Sequence, residues 1–361
     1  MKMLFFTVTN DLSYDQRMIR ICSSLSAAGY RVRLIGRKLP DSIPLTAQPF
    51  EQTRLPCLFQ TGALFYAEFN IRLFIYLLVK RHDCICAIDL DTILPCYLSS
   101  ILKKTPRVYD AHELFCEMQE IVERPSIYRV WKWIERKTVP RFRNGYTVNQ
   151  PIADEFHRMY GVSYQVISNM AVLRSLTIPA KPAKYILYQG AVNEGRSFNT
   201  LIPAMKLVNA RLIICGDGNY MEQAKQLVRE NGLDEKIHFT GKLNPDELRT
   251  YTIGAWVGVT LFESKGKSNY FSLANRFFDY LHAGVPQVCV NYPVYSALNN
   301  DAPFAVLIED LQPATIAGAI NILLTNHELY HKLQQNALTA RQKLNWGTEE
   351  TKLVNFYKSI T

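Results

Sequence analysis

Arg276 and Asp279 stand three residues apart in SNYFSLANRFFDYLHAG (268–284). On a helix that spacing sets a guanidinium and a carboxylate on one face, with Ser272 one turn earlier. Leu273, Phe277, Phe278 and Leu281, around the rest of that helix, are apolar. The stretch therefore reads as one helix with a core side and a polar edge able to hold a ligand. A cation in the first turns of a helix opposes the helix dipole unless an anion lies beside it, so Arg276 points to a phosphate. Three loops of the same half follow strands and could complete such a site: QGAVNEGR (189–196) with Gly190 and Arg196, GDGN (216–219) with Gly216, and ESKGKSNYFS (263–272) with Lys265 and Lys267. Small residues there leave backbone N–H groups open to an anion. In the other half, DAHELF (110–115) brings Asp110, His112 and Glu113 to the end of a strand. His112 has two readings from the residues alone, a core imidazole bonded to a carbonyl or a reactive group.

The elements that must position these residues alternate. Short apolar runs such as MLFFTVTN (3–10), CICAID (84–89), RVYDA (107–111), YILYQG (185–190) and RLIICGDG (211–218) are separated by segments of helical periodicity. That order predicts βαβ units and parallel sheets, with ligands beyond the carboxyl ends of the strands. A polar, Pro-containing break, LRSLTIPAKPAK (173–184), separates two such series. We therefore expect an α/β protein of two domains, 1–172 and 173–344, with a last helix over 345–361 packing back on the first through Leu353, Phe356 and Tyr357.

A chain of 361 residues with a net charge of +9 accommodates two such cores. The charge is spread: 22 Lys/Arg against 16 Asp/Glu in 1–172, and 19 against 16 in 173–361. It fits either a solvated basic surface or attraction to anions. No element interleaves cations with exposed aromatics, which argues against nucleic acid. Eight cysteines lack metal or redox spacing and are expected as free, buried thiols in a reducing cytoplasm. The first apolar run is too short for a secretory signal. The apolar segment 62–80 is interrupted by Glu68, Asn70 and Arg72. It is read as a buried or domain-packing helix, or, with the basic first half, as a peripheral contact with the inner membrane surface through residues such as Phe65 and Phe74.

Several of these segments carry a resemblance. YQGAVNEGRSFNTLIPA, RLIICGDG, KIHFTGKLNPDELRTYT and SLANRFFDYLHAGVPQV in the second half, and YDQRMIRICSSLSAAGYRV, AIDLDTILP and YDAHELF in the first, resemble glycosyltransferase family 4, a retaining GT-B family. The resemblance implies two Rossmann-like doubly wound domains facing a central cleft that closes by domain rotation. It implies a nucleoside diphosphate sugar as donor and no cofactor or metal. Asp279 takes the place of the carboxylate that binds the ribose hydroxyls, within a subgroup motif S-L-x-N-[KR]-x-F-[ED]-Y that also includes Ser272, Leu273 and Asn275. Phe271 stands where many members have a first glutamate, and Ala191 where they have a phosphate-binding Arg. Arg196 keeps the Lys position of that pair, and Arg276 is expected to supply the missing charge. His112 matches the His of a D-x-H motif and is placed against the donor sugar. Asp110 and Glu113 orient it or face the acceptor. Arg17 binds an acceptor or donor phosphate, or is a solvated helix residue. DLD (89–91) resembles the metal motif of the other major glycosyltransferase fold, but its place between strand and helix makes Asp91 an N-cap. The implied reaction is retaining hexosyl transfer to a saccharide or lipid-linked saccharide, in polysaccharide or glycolipid assembly. A GT-B sugar-nucleotide epimerase and a non-catalytic nucleotide-sugar-binding subunit are the alternatives.

Overall fold

The computed structural model describes residues 1–13, 15–177 and 184–361. It divides into two compact units, one of residues 1–169 and 348–361, the other of residues 170–347. Half of the Pro-containing break over 173–184, residues 178–183, lies outside the described residues.

The first unit runs β1 (Met3–Thr7), α1 (Gln16–Ala27), β2 (Arg31–Lys38), β3 (Glu51–Pro56), α2 (Gly62–Val79), β4 (Cys84–Ile88), α3 (Ile93–Lys103), β5 (Arg107–Ala111), α4 (Gln119–Val122), α5 (Pro125–Thr138), β6 (Asn144–Thr147), α6 (Gln150–Tyr160) and β7 (Gln165–Val166). Its seven strands are parallel in the order β3-β2-β1-β4-β5-β6-β7. Both faces are covered, so the inner strands are continuously apolar rather than alternating. On β1, Phe5 lies against Tyr76 of α2 while the next residue, Phe6, meets Tyr357 on the other side at 5.7 Å. Tyr357 belongs to the chain's last helix, whose residues from Thr348 onward are part of this unit.

The second unit contains β8 (Tyr185–Gln189), α7 (Phe198–Ala204), β9 (Arg211–Cys215), α8 (Met221–Glu230), β10 (Ile237–Gly241), α9 (Pro245–Gly254), β11 (Val257–Thr260), α10 (Lys267–Tyr270), α11 (Asn275–Ala283), β12 (Gln287–Val290), α12 (Pro293–Asn299), β13 (Ala305–Ile308), α13 (Pro313–Thr325) and α14 (His327–Ala340). Its six parallel strands follow the order β10-β9-β8-β11-β12-β13. The last helix, α15 (Trp346–Ile360), follows. Each sheet reverses its strand order once, between β1 and β4 and between β8 and β11, and the crevice at such a point is where doubly wound folds bind ligands.

Two expectations change here. The stretch 268–284 is not one helix. Phe271 caps α10, Ala274 takes an extended conformation at the start of α11, and the Ala274 N–H donates to the Tyr295 hydroxyl at 3.1 Å. Ser272 therefore sits in the intervening turn rather than on a face with Arg276 and Asp279. The segment 62–80 forms one helix of 18 residues, long and apolar enough to cross a bilayer by length and composition. Its Phe65, Phe69, Leu73 and Leu77 are nevertheless buried. Phe65 belongs to the core and cannot meet a membrane.

Candidate functional site

In the second unit the site grows from the carboxyl end of β8. Gln189, its last residue, is buried, and its carbonyl accepts from Arg276 Nη1 at 3.0 Å. Its side-chain amide donates to Asp279 Oδ2 at 2.8 Å, and its amide oxygen accepts from Thr252 Oγ1 at 2.8 Å. One glutamine thus fixes both the cation and the carboxylate. Asp279 follows Arg276 by three positions, nearly one turn of α11, so both reach the same strand end.

Arg276 is 6% exposed. Its guanidinium lies over Tyr188 at 4.5 Å and over Phe262 at 4.6 Å, while Arg196 lies over the same Phe262 ring at 4.4 Å. The aromatic rings hold two guanidinium groups near each other without neutralising them. Nε and Nη2 of Arg276 have no acceptor among the described residues. A buried cation with two unmet donors, in the first turn of a helix, is a costly arrangement that an anion would relieve.

The surrounding loops are tied together. Gly190 N–H donates to the Cys215 carbonyl and Gly216 N–H to that of Gly241, both at 2.9 Å. Asn219 N–H donates to Asn193 Oδ1 at 3.1 Å, and Glu263 N–H to the Gly195 carbonyl at 3.0 Å. The backbones approach so closely that a Cβ at Gly216, where φ is +153°, would lie 1.8 Å from the Gly190 oxygen. At Gly190 a Cβ would come 3.1 Å from Arg276 Nη1. Leu273 is half-buried against the core and Asn275 is the exposed first residue of α11. Phe271 is half-buried beside Tyr270, and Ala191 is exposed.

In the first unit, β4 and β5 run side by side, with Ile88 opposite Asp110. Just past these ends, Asp89 accepts the His112 N–H at 2.9 Å through one oxygen and lies 3.1 Å from Nδ1 through the other. His112 Nε2 is 3.5 Å from Asp110, which is wholly buried and takes a 2.6 Å bond from Arg17 Nη2. Burial disfavours the imidazolium, but Asp89, opposed by Arg17 and joined by Asp110, outweighs it, and the pKa of His112 is pushed up to about 10. Burial also tends to raise Asp110, yet Arg17 and His112 hold it below its ordinary value.

This corrects three readings. Arg17 is no solvated helix residue: it is 7% exposed and paired, with Nε and Nη1 lacking acceptors among the described residues. Asp110 cannot face an acceptor and instead holds His112 and Arg17. Asp91 caps no helix; its carboxylate accepts from the Thr9 hydroxyl, and the residue before α3, Thr92, makes no side-chain cap. Glu113 is half-buried next to His112 in sequence. Asp89 and Gln189 are the site residues that motif reading missed. The signal for each is a polar side chain at the end of an apolar strand. Among the described residues no group of three His, Cys, Asp or Glu side chains is placed to hold a metal ion.

Residues 177–339 match the family described as glycosyl transferases group 1, and residues 16–171 match glycosyltransferase family 4. The chain is a family 4-type glycosyltransferase. The transferase has the GT-B fold of two Rossmann-like domains. Sucrose-phosphate synthase from Thermosynechococcus elongatus is similar to it with a TM-score of 0.81 at 16% identity, over 99% of each chain. HepE of Anabaena, in complex with UDP and glucose, gives 0.78 at 13% identity over 99% of this chain and 100% of that one. WaaG, a glycosyltransferase involved in lipopolysaccharide biosynthesis, gives 0.76 at 16% over 99% of each. No curated protein matches the transferase by sequence.

Proposed function

We propose that this transferase moves a hexosyl group from a nucleoside diphosphate sugar to an acceptor hydroxyl with retention of anomeric configuration. The observation that carries the reading is Arg276, a buried guanidinium with two unmet donors, stacked on Tyr188 and on the Phe262 ring that it shares with Arg196, and tied through Gln189 to Asp279. In this reading the Asp279 carboxylate accepts from the ribose hydroxyls while Gln189 holds its other oxygen. Arg276, Arg196 and the loops at Gly190 and Gly216 bind the diphosphate. Ser272, Leu273 and Asn275 shape the turn that feeds α11 toward it. That HepE is described with UDP and with UDP-glucose supports a nucleotide sugar as the donor class.

Breaking the bond between the anomeric carbon and the phosphate oxygen leaves the electron pair on the diphosphate, where the two guanidinium groups stabilise it without a metal. The acceptor oxygen forms its bond to the anomeric carbon on the same face, and its proton passes to the departing phosphate oxygen. We assign His112, held as an imidazolium, to the hexosyl group. Arg17 is assigned to a phosphate of donor or acceptor, and Glu113 to the acceptor side. The acceptor is a saccharide or lipid-linked saccharide in polysaccharide or glycolipid assembly at the inner face of the membrane. Free cysteines, all but Cys57 buried, agree with a reducing compartment.

A thermal-shift panel of nucleotide sugars, followed by product analysis with the best binder, tests this. A glycoside with the donor's anomeric configuration supports transfer with retention. An epimerised nucleotide sugar, or binding without turnover even to hydrolysis, contradicts it.

A further inference from the structure

The first unit covers one face of its sheet with α2, α3 and α5, and the outer side of that layer is both apolar and cationic. α2 has two apolar faces. Opposite its buried stripe, Ile71, Ile75 and Val79 are 61%, 56% and 72% exposed. A helix in a two-layer packing needs only one such face. α5 is partly inverted: it buries Lys132 and Glu135 as a 2.7 Å ion pair, yet leaves Val130 and Trp133 58% and 59% exposed. α3 lies between them with Leu102 64% exposed. The surface is continuous, because α3 packs on both neighbours and Tyr66 of α2 meets Trp131 of α5 edge to face at 5.2 Å. Scattered exposed apolar side chains are ordinary, but a contiguous sheet of them on three adjoining helices marks an interaction face.

The cations say what covers it. Lys80 and Arg81 follow the end of α2, Lys104 follows α3, and Arg136 and Lys137 lie in the last turn of α5. All five are exposed, and none forms an ion pair among the described residues. Between β3 and α2 an open groove of about 360 Å³ is lined by Leu55, Pro56, Ile75 and Val79 together with Arg72 and Lys80. A second copy docked face to face would bring five like charges against five. An anionic bilayer supplies the complementary charge and an apolar phase.

We propose that this face seats on an anionic phospholipid membrane, with Ile75, Val130 and Trp133 entering the boundary between headgroups and acyl chains and the five cations meeting lipid phosphates. The proposal deepens the reading of a membrane-presented acceptor, and it is tested separately from that reading. Co-sedimentation of the full chain with vesicles of phosphatidylcholine and phosphatidylglycerol in equal parts reports the face, while nucleotide affinity reports the donor site. The wild type is expected to pellet with the mixed vesicles and to remain in solution with phosphatidylcholine alone. Replacing Lys80, Arg81 and Lys104 together by Ala should lower partitioning about 100-fold, at roughly fivefold per cation. Ile75→Glu with Trp133→Glu should lower it more than about tenfold. All five residues are well exposed or on the rim, so melting temperature and nucleotide affinity should stay at wild-type values in both variants. A wild type that stays in solution with anionic vesicles, equal binding to neutral ones, or variants that pellet like wild type would each overturn the proposal. So would a wild-type dimer that the Ile75 and Trp133 changes dissociate, which would make the face a self-interface.

Discussion

At the scale of single residues the chemistry is decided by what surrounds His112 and Arg276. Asp89 holds His112 through both backbone and ring, and does so from φ +54° and ψ −179°, a conformation rarely tolerated outside glycine. Such strain persists only where neighbours fix it, and here the Asp89 N–H donates to the Asp110 carbonyl at 3.0 Å. Asp89→Asn removes the nearest charge that sustains the imidazolium. We expect the His112 pKa to fall from about 10 toward the ordinary histidine value, followed by imidazole chemical shifts. The turnover rate should fall more than the affinity for nucleotide. The same shift predicts a pH effect on stability. The folded pKa lies above the unfolded one, so this contribution is complete below about pH 6.5 and is lost as pH rises through about 10. In Asp89→Asn the loss should move to lower pH. Asp91 has the opposite consequence. Burial and the charge of Asp89 raise its carboxyl to about 7, so stability falls as pH rises from about 4 through 7. Asp91→Asn should therefore raise the melting temperature at pH 8 and leave it nearly unchanged at pH 4. Asp279→Ala should weaken nucleotide binding by about 10- to 100-fold, the range for a hydrogen bond to a charged group. Arg276 and Asp279 were legible in the sequence because their spacing marks one face of a helix. Asp89 was not, because its role depends on the neighbouring strand.

At the scale of elements, the site is a property of strand ends. Alternating apolar runs and segments of helical periodicity made most of the elements readable. β3 and β13 were not; β3 is largely half-buried rather than apolar. The break between α10 and α11 was hidden too. It depends on a hydroxyl from α12, Tyr295, taking the Ala274 N–H, and no local pattern reports a partner twenty-one residues away. Its consequence is that α11 begins beside the site, with Arg276 as its second residue. The close approach of the loops after β8 and β9 gives a prediction at this scale. Gly216→Ala should cost more than about 1 kcal/mol of stability and also weaken nucleotide binding, since the added methyl would displace the Gly190 carbonyl. Unchanged melting and affinity would refute the tight packing of these loops.

At the scale of the molecule, two doubly wound units share one chain, and its last helix belongs mainly to the first of them. Leu353, Phe356 and Tyr357 are buried, with Phe356 against Tyr146 at 5.2 Å. Phe356→Ala should destabilise by about 3–5 kcal/mol, read from denaturant unfolding of the full chain. Tandem βαβ patterns and a single polar break made this organisation readable; the exact points where the chain changes unit, near 170 and 348, depend on contacts that no pattern displays. The account of the whole rests on one buried cation serving as an anion site in the second unit. Calorimetric titration of the best-binding nucleoside diphosphate, set beside its unphosphorylated nucleoside, onto wild type and Arg276→Met tests it most directly. We predict a loss of about 10- to 100-fold in diphosphate affinity with nucleoside affinity unchanged. Equal diphosphate affinity in the two proteins would contradict the assignment of Arg276, and with it the central claim.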